Sequence, residues 1–284
     1  MSFLWERIVS VSEHALRVGA LVSLPTEAEV MEDGGIPFVV HTSRLPERKA
    51  RAKREQRAEG SNPFLPPDPE LVVDTLATGH VAVLNKFNVL EHHLLIVTEG
   101  FEAQDELLTV ADLEALLGCM AEVEGLGFYN GGRVAGASQD HKHLQLAPLP
   151  LGPGPLPVPL DAVIPDGLPP GRIATVPALH FGHALVPLDG AGIAGLGADE
   201  AHRIYRRACA AVGVVDRGRP YNMLLTRRWM LVVPRSRERW RGVSINALGF
   251  AGSLLVRSRD ERDELQLAGP VQVLASVVDG GPAS

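Results

Sequence analysis

The sequence predicts an α+β fold with a mainly antiparallel sheet and flanking helices. Three observations carry this. Two pairs of short strand-like runs, 81–87 with 92–98 and 221–226 with 229–234, are each separated by a short turn and read as hairpins. Isolated segments of helical period stand between them. Strands and helices do not alternate in the regular way that builds a parallel sheet.

The elements follow in order. Residues 3–18 place Phe3, Ile8, Val11, Ala15 and Val18 close to helical spacing. Prolines 63, 66, 67 and 69 exclude a regular helix over 63–70 and predict an extended loop. Thr109 and Asp112 have the spacing of a capping box. Leu113, Leu116, Leu117, Met120 and Val123 then line one face of a helix of about fourteen residues, which Gly125 and Gly127 would end. Residues 143–148 read as a strand. Nine prolines fall within the 24 residues 148–171, a semi-rigid or crossing segment. It divides the chain into a first part at 1–150, a connector at 151–171 and a second part at 172–284. Beyond it, 180–188 is strand-like. Residues 199–212 are helical, with Ile204, Ala208 and Ala211 on one side, and 243–248 and 253–256 are strand-like. There is no internal repeat.

Composition removes several function classes. In 284 residues, 45% are hydrophobic and 21% charged, which excludes disorder as the dominant state. Cys119 and Cys209 sit among apolar residues in helix-like segments, as expected of reduced thiols in a cytoplasmic protein. No apolar run approaches the roughly 18 residues of a membrane span, and the acid-bearing N-terminal segment resembles no targeting peptide. A net charge of −7 argues against a general nucleic-acid coat. Yet 44–57 holds seven Arg or Lys against two Glu, and 217–241 holds eight Arg against one Glu. Either run alone reads as a solvated face. Two such runs in an acidic chain suggest a pocket for a polyanion smaller than a nucleic acid.

The chemistry concentrates at Gly136-Ala-Ser-Gln-Asp-His141-Lys-His143-Leu-Gln145-Leu. On a strand, His141, His143 and Gln145 share one face while Leu144 and Leu146 pack on the other. The preceding glycine-led turn offers free backbone N–H groups, the material of an anion nest. An imidazole there suits nucleophilic attack on phosphorus, general-base work or metal ligation. His143 at the centre, with Gln145 and Ser138 as donors, meets the needs of phosphoryl transfer. Zinc held by His141, His143 and one of His92 and His93 is the competitor. His180 and His183 read as structural histidines at a strand end.

This pattern resembles the signature of the ATP adenylyltransferases, or diadenosine tetraphosphate phosphorylases, a transferase branch of the histidine-triad superfamily. The resemblance extends to Asn62-Pro-Phe, to Leu84-Asn-Lys-Phe-Asn-Val with His92-His-Leu-Leu-Ile-Val-Thr, and to Tyr221-Asn-Met-Leu-Leu-Thr-Arg-Arg-Trp-Met with Val-Pro-Arg-Ser-Arg237. It spans about residues 60–256 and implies a histidine-triad-like fold. It implies reversible phosphorolysis of diadenosine tetraphosphate to ADP and ATP through an adenylyl group on His143. In this picture His141 holds the motif, and Gln145 replaces the third histidine of the hydrolase branch. Gly136, Ala137, Ser138, Gln139 and Asn130 would face the phosphates, with Asn85 and Lys86 at the ribose. Thr226, Arg227, Arg228 and Arg237 would line the far side of the polyphosphate groove. Arg237 stands where the family often has Lys, so the charge is kept and the donor geometry changes. A lysine of the first basic run would reach a phosphate, and Lys49 is favoured over Lys53.

No acidic cluster resembles a metal cage. A divalent cation such as Mg²⁺, where needed, is expected on the nucleotide, with no tightly bound cofactor. The expected partners are small-molecule nucleotides, with no nucleic acid and no membrane, in a monomer or small homo-oligomer. The alternatives are a hexose-1-phosphate nucleotidylyltransferase, which would need sugar-recognising groups in place of the arginines, and a non-catalytic nucleotide-binding protein.

Overall fold

The computed structural model describes residues 3–43, 62–189 and 192–278. Helix α1 (Phe3–Val18) buries Leu4, Ile8, Ser12 and Ala15, three or four residues apart. Strands β1 (Thr26–Asp33) and β2 (Ile36–Ser43) follow as a hairpin. Its two-residue turn is Gly34-Gly35, both at positive φ, which matches the twist of the strands. The segment at 63–70 is tighter than the extended loop expected. Phe64 bridges Pro67, and Pro69 opens a short 3₁₀ turn at Pro69–Leu71 that Asp68 caps.

Next come β3 (Val72–Leu76), β4 (His80–Leu84), β5 (Leu94–Thr98), α2 (Val110–Glu122), β6 (Gly125–Gly131) and β7 (His143–Pro148). β4 and β5 are the first expected hairpin. α2 starts at the expected capping box, with Thr109 and Asp112 each accepting from the other's backbone N–H. Gly125 and Gly127 do not end it; α2 stops at Glu122, and the glycines open β6. A Cβ on Gly127 would lie 2.8 Å from the Met120 sulfur, and one on Gly125 would lie 2.8 Å from the Ala147 carbonyl oxygen. Glycine therefore lets helix and neighbouring strand approach β6 closely.

The chain continues through β8 (Ala184–Pro187), α3 (Ala198–Ala211), β9 (Tyr221–Leu225), β10 (Trp229–Pro234), β11 (Arg239–Trp240), β12 (Val243–Ser244), α4 (Ala247–Phe250), β13 (Ser253–Val256), α5 (Arg259–Ala268) and α6 (Pro270–Ser276). β9 and β10 form the second expected hairpin. The strand expected over 243–248 is only β12, because Asn246 caps Leu248 N–H and starts α4.

Eight strands form one antiparallel sheet in the order β3-β4-β5-β7-β6-β9-β10-β8. Strands from both sides of the Pro-rich stretch share it. A second sheet, β1-β2-β13, contains a parallel pair between β13 and β2. The fold is α+β and mainly antiparallel, as expected. Helices α1, α2 and α3 cover one face of the large sheet, packing Ile8, Leu116, Met120 and Tyr205 with Leu144, Leu146 and Met223. The small sheet, α4, α6 and the Pro-rich crossing cover the other face around Phe128, Leu224 and Leu231.

β7 lies between these layers. Burying Leu144 and Leu146 contributes roughly 1.5–3 kcal/mol each. A one-residue slip would put His143 in that apolar layer and turn the leucines out of it, so the register holds His143 on the other face.

Candidate active site

His143 sits on β7 opposite Val97, and Gln145 sits opposite Leu95 and Phe128. Gln104 fixes the strand locally. Its Oε1 accepts from His143 N–H at 2.8 Å, and its Nε2 donates to the carbonyls of His143 and Asn130. The His143 imidazole donates from Nδ1 to the carbonyl of His141 at 2.8 Å. That bond assigns the proton to Nδ1 and leaves a lone pair on Nε2. Burial pulls the His143 pKa down to about 4, against the opposing pull of the His141 carbonyl. The ring is therefore neutral, and nucleophilic, throughout the physiological range.

His141 is the prop. Its Nδ1 accepts from Asn62 Nδ2 and its Nε2 donates to the Thr98 carbonyl, both at 2.9 Å. Phe64 packs against the rings of both His141 and His143. Asn85 Nδ2 donates to His93 Nδ1 at 3.1 Å, so the His93 proton is on Nε2, a buried atom with no hydrogen-bond partner among the described residues. Burial brings His93 down to about 4, against the upward pull of the Gln145 side chain.

The back of the motif is built differently. The fully buried Lys142 ammonium lies 2.6 Å from Asp112 and 3.0 Å from Glu102. Asp112 also meets His80 at 2.9 Å. Burial alone would raise the Asp112 carboxyl, but His80, Lys142 and Thr109 N–H bring it down to about 2. The Asp112 half of the capping box thus anchors the start of β7.

The loop before the motif turns on glycines, and it departs from the expected set of free donors at Gly136 and Ala137, whose N–H groups bond to the carbonyls of Arg133 and Gly132. Gly132 and Gly136 are both at positive φ, and a Cβ on Gly136 would strike the Ile245 carbonyl at 2.8 Å. Ser138 is exposed, and neither Ser138 nor Gln139 makes a hydrogen bond among the described residues. Their N–H groups and side chains are open to an anion. The Arg133–Asp140 pair spans the loop at 2.6 Å.

The structure brings together His141, His143, Gln145, Asn130, Asn85 and the 136–139 turn. Lys86 pairs with Asp68 at 3.2 Å on the surface beside Asn85. Arg237 is exposed just beyond β10, at the Asn130 end of the sheet. Thr226, Arg227 and Arg228 are not assembled with these residues. Register puts Leu225 level with Gly127 and Leu146, so the turn after β9 lies roughly 13 Å along the strands from His143. The Thr226 hydroxyl there accepts from the N–H groups of Arg228 and Trp229; Arg227 reaches the Met120 carbonyl, and Arg228 pairs with Asp161. Lys49 lies outside the described residues.

Among the described residues, no group of three or more His, Cys, Asp or Glu is placed to hold a metal. His92 instead meets Ser12 and Trp5, and His183 bridges Val176 N–H and the Phe181 carbonyl. Both cysteines are free and buried. No helix among the described residues is long and apolar enough to cross a membrane.

A neutral imidazole oriented by a backbone carbonyl, beside an exposed glycine-led turn, is the arrangement that a transferase working on phosphorus requires. Residues 1–166 match the model of the Ap4A phosphorylase N-terminal domain, and residues 177–278 match that of the ATP adenylyltransferase C-terminal domain. The chain belongs to this family of nucleotidyltransferases, the ATP adenylyltransferases or diadenosine tetraphosphate phosphorylases. It is similar to diadenosine 5′,5‴-P1,P4-tetraphosphate phosphorylase 2 of Saccharomyces cerevisiae, 29% identical over 251 residues, covering 76% of this chain and 75% of the relative. Protein APA1 of the same yeast is 25% identical over 281 residues, 84% and 82% of the two chains. The crystal structure of yeast Ap4A phosphorylase Apa2 superimposes with a TM-score of 0.81 at 25% identity, over 98% of this chain and 95% of that one. Its complex with AMP gives 0.80 at 25% identity, over 100% and 99%.

The sequence offers His93 only as a possible zinc ligand and gives Gln104, Asn222 and Arg235 no role. His93 had a usable signal, since it precedes β5 on the face that Gln145 shares. Gln104 stands in an irregular loop with no pattern around it.

Proposed function

We propose that this chain cleaves diadenosine tetraphosphate with inorganic phosphate to ADP and ATP, reversibly, through an adenylyl group carried on His143. The observation that carries the route is the His143 Nδ1–H bond to the His141 carbonyl, which aims a lone pair from Nε2. Nε2 attacks the α-phosphorus and forms an N–P bond. The P–O bond to the departing ATP breaks, and that anion needs no added proton. A phosphate oxygen then attacks the same phosphorus, the N–P bond breaks, and ADP leaves. Growing negative charge on the phosphorus oxygens meets the N–H groups of Ser138 and Gln139, with Asn130 and Arg237; the N–H groups of Gly136 and Ala137 already serve the carbonyls of Arg133 and Gly132.

Gln145 is uncharged near neutral pH and cannot act as the general base that water would need. Phosphate arrives already ionised, which favours it as the acceptor. Asn85 faces the ribose, with Lys86 close by. Any divalent cation reaches the site on the polyphosphate. Arg227 and Arg228, at the far end of the sheet, contribute at most to the distal part of the groove.

Product analysis tests this. With phosphate, diadenosine tetraphosphate should give equal ADP and ATP. Steady release of AMP and ATP in phosphate-free buffer would assign a hydrolase instead.

A further inference from the structure

Behind Asn130 runs a buried chain of polar side chains that the route above does not use. It starts at Arg235, which follows β10. Its guanidinium is buried, stacks on Phe250 and spends its N–H groups on the carbonyls of Ala135, Val277, Arg237 and Glu238 and on Asn222 Oδ1, the last at 2.6 Å. No carboxylate lies within hydrogen-bond distance of it among the described residues. A guanidinium only donates. Asn222 must therefore turn its oxygen toward Arg235 and its Nδ2 away. That Nδ2 donates to Asn130 Oδ1 and to the Ala135 carbonyl, both at 2.8 Å. Asn130 Oδ1 also accepts from Ala247 N–H at 2.9 Å, so both its lone pairs are used. The two Asn130 Nδ2 hydrogens are left on the opposite side of the amide.

Asn130 lies on the same sheet face as Phe128 and Gln145, and Gln104 bridges its backbone to His143. We propose that Arg235 and Asn222 are positioning residues for adenylyl transfer. Arg235 sets the polarity of Asn222, Asn222 sets the polarity of Asn130, and Asn130 is held with its NH₂ group as the donor toward the α-phosphate. The same guanidinium, by holding the Ala135 and Arg237 carbonyls, ties the anion-binding turn to the segment that carries Arg237. Aligned donors in a dry site strengthen one another and need no reorganisation when charge develops. Burial lowers the Arg235 pKa only to about 9, so the relay starts from a fixed positive charge at neutral pH.

The proposal rests on the phosphorolytic reading of the site, and the test separates the two. Asn222→Asp keeps the side-chain size and gives Arg235 a carboxylate, but loses the donor to Asn130. Asn130 then has to turn its NH₂ toward the new carboxylate and its oxygen toward the phosphate. The expected result is a loss of kcat of about a hundredfold, the scale of one removed donor to a developing oxyanion. Tm should fall, because the Ala135 carbonyl loses its donor and Ala247 N–H its acceptor, but the chain should stay folded at assay temperature and adenosine affinity should be kept. Asn130→Ala should lose a similar factor, and the double variant no more than the larger single loss, because both remove the same donor. Arg235→Lys keeps a donor-only cation and should retain kcat within about tenfold. Multiplying losses in the double variant, or an Asn222→Asp enzyme within threefold of wild type, would overturn the relay. If Asn222→Asp does not fold, Asn222→Ala, which also removes the donor to Asn130, is measured in the same cycle and is read by the same criterion. If wild type shows no phosphorolysis, the functional reading fails. The relay is then read from the ADP-to-adenosine affinity ratio, which should fall about tenfold in Asn222→Asp; an unchanged ratio would overturn it.

Discussion

The two faces of β7 are made for opposite tasks. On one, His141 and His143 are held by neutral hydrogen bonds with backbone and amide groups, and Gln145 shares their face. On the other, Leu144 and Leu146 are locked in the helical layer, and Lys142 is clamped by Asp112 and Glu102. Charge is thus confined to the back of the strand, where it fixes position. The front keeps an uncharged imidazole with a free lone pair. A strand can carry a nucleophile in a dry site because its reverse side supplies the anchorage.

The largest expected effect breaks the front. His143→Ala should lose about 10⁴-fold or more in turnover while fold and nucleotide affinity persist, measured by rapid-quench assay and calorimetry. Near-normal turnover would remove the covalent route. Breaking the back should instead cost stability. Asp112→Ala strips the capping box and leaves Lys142 with the half-exposed Glu102 and the Leu107 carbonyl, so a loss of about 3 kcal/mol is expected in urea unfolding, with KM little changed in the folded fraction. A loss below about 1 kcal/mol would mean that the ion pair anchors nothing.

Acid should separate the faces further. His143 and His93 are held near 4 when folded and titrate near 6.5 when unfolded. The unfolded chain therefore binds more protons between those values, and stability should fall as pH drops from 6.5 toward 4. His143→Gln should flatten part of that slope. The Asp112 contribution is present above its ordinary value of 3.8 and lost only as pH falls toward 2. Turnover limited by a neutral His143 should be flat from pH 6 to 8 and fail near 4. The smallest effect compares the two ends of the sheet. Arg237→Ala should weaken ADP relative to adenosine by about tenfold, whereas Arg228→Ala should change that ratio by less than about twofold. Equal losses would return Arg228 to the phosphate site.

The legible parts of this molecule were those with a strong local code. The alternation around His143 gave β7 and its chemical face, and Thr109 with Asp112 gave the start of α2. β1 is not legible, because its short Glu27-Ala28-Glu29-Val30 alternation is exposed on both faces and only Met31 is buried. β6 was hidden by its glycines, which are there for close packing and read locally as chain breakers. Arg235 looked like one more member of a basic surface run. Only the fold shows that it is buried against carbonyls, and that Arg227 and Arg228, in the same run, face another end of the sheet.

In the proposed route His143 carries the adenylyl group between two anions. Intact mass and peptide mapping after mixing the protein with diadenosine tetraphosphate in phosphate-free buffer would detect it. The expected result is one adenylyl group per chain, on His143, released as ADP when phosphate is added. An unmodified protein that nonetheless forms ADP and ATP once phosphate is present would contradict it.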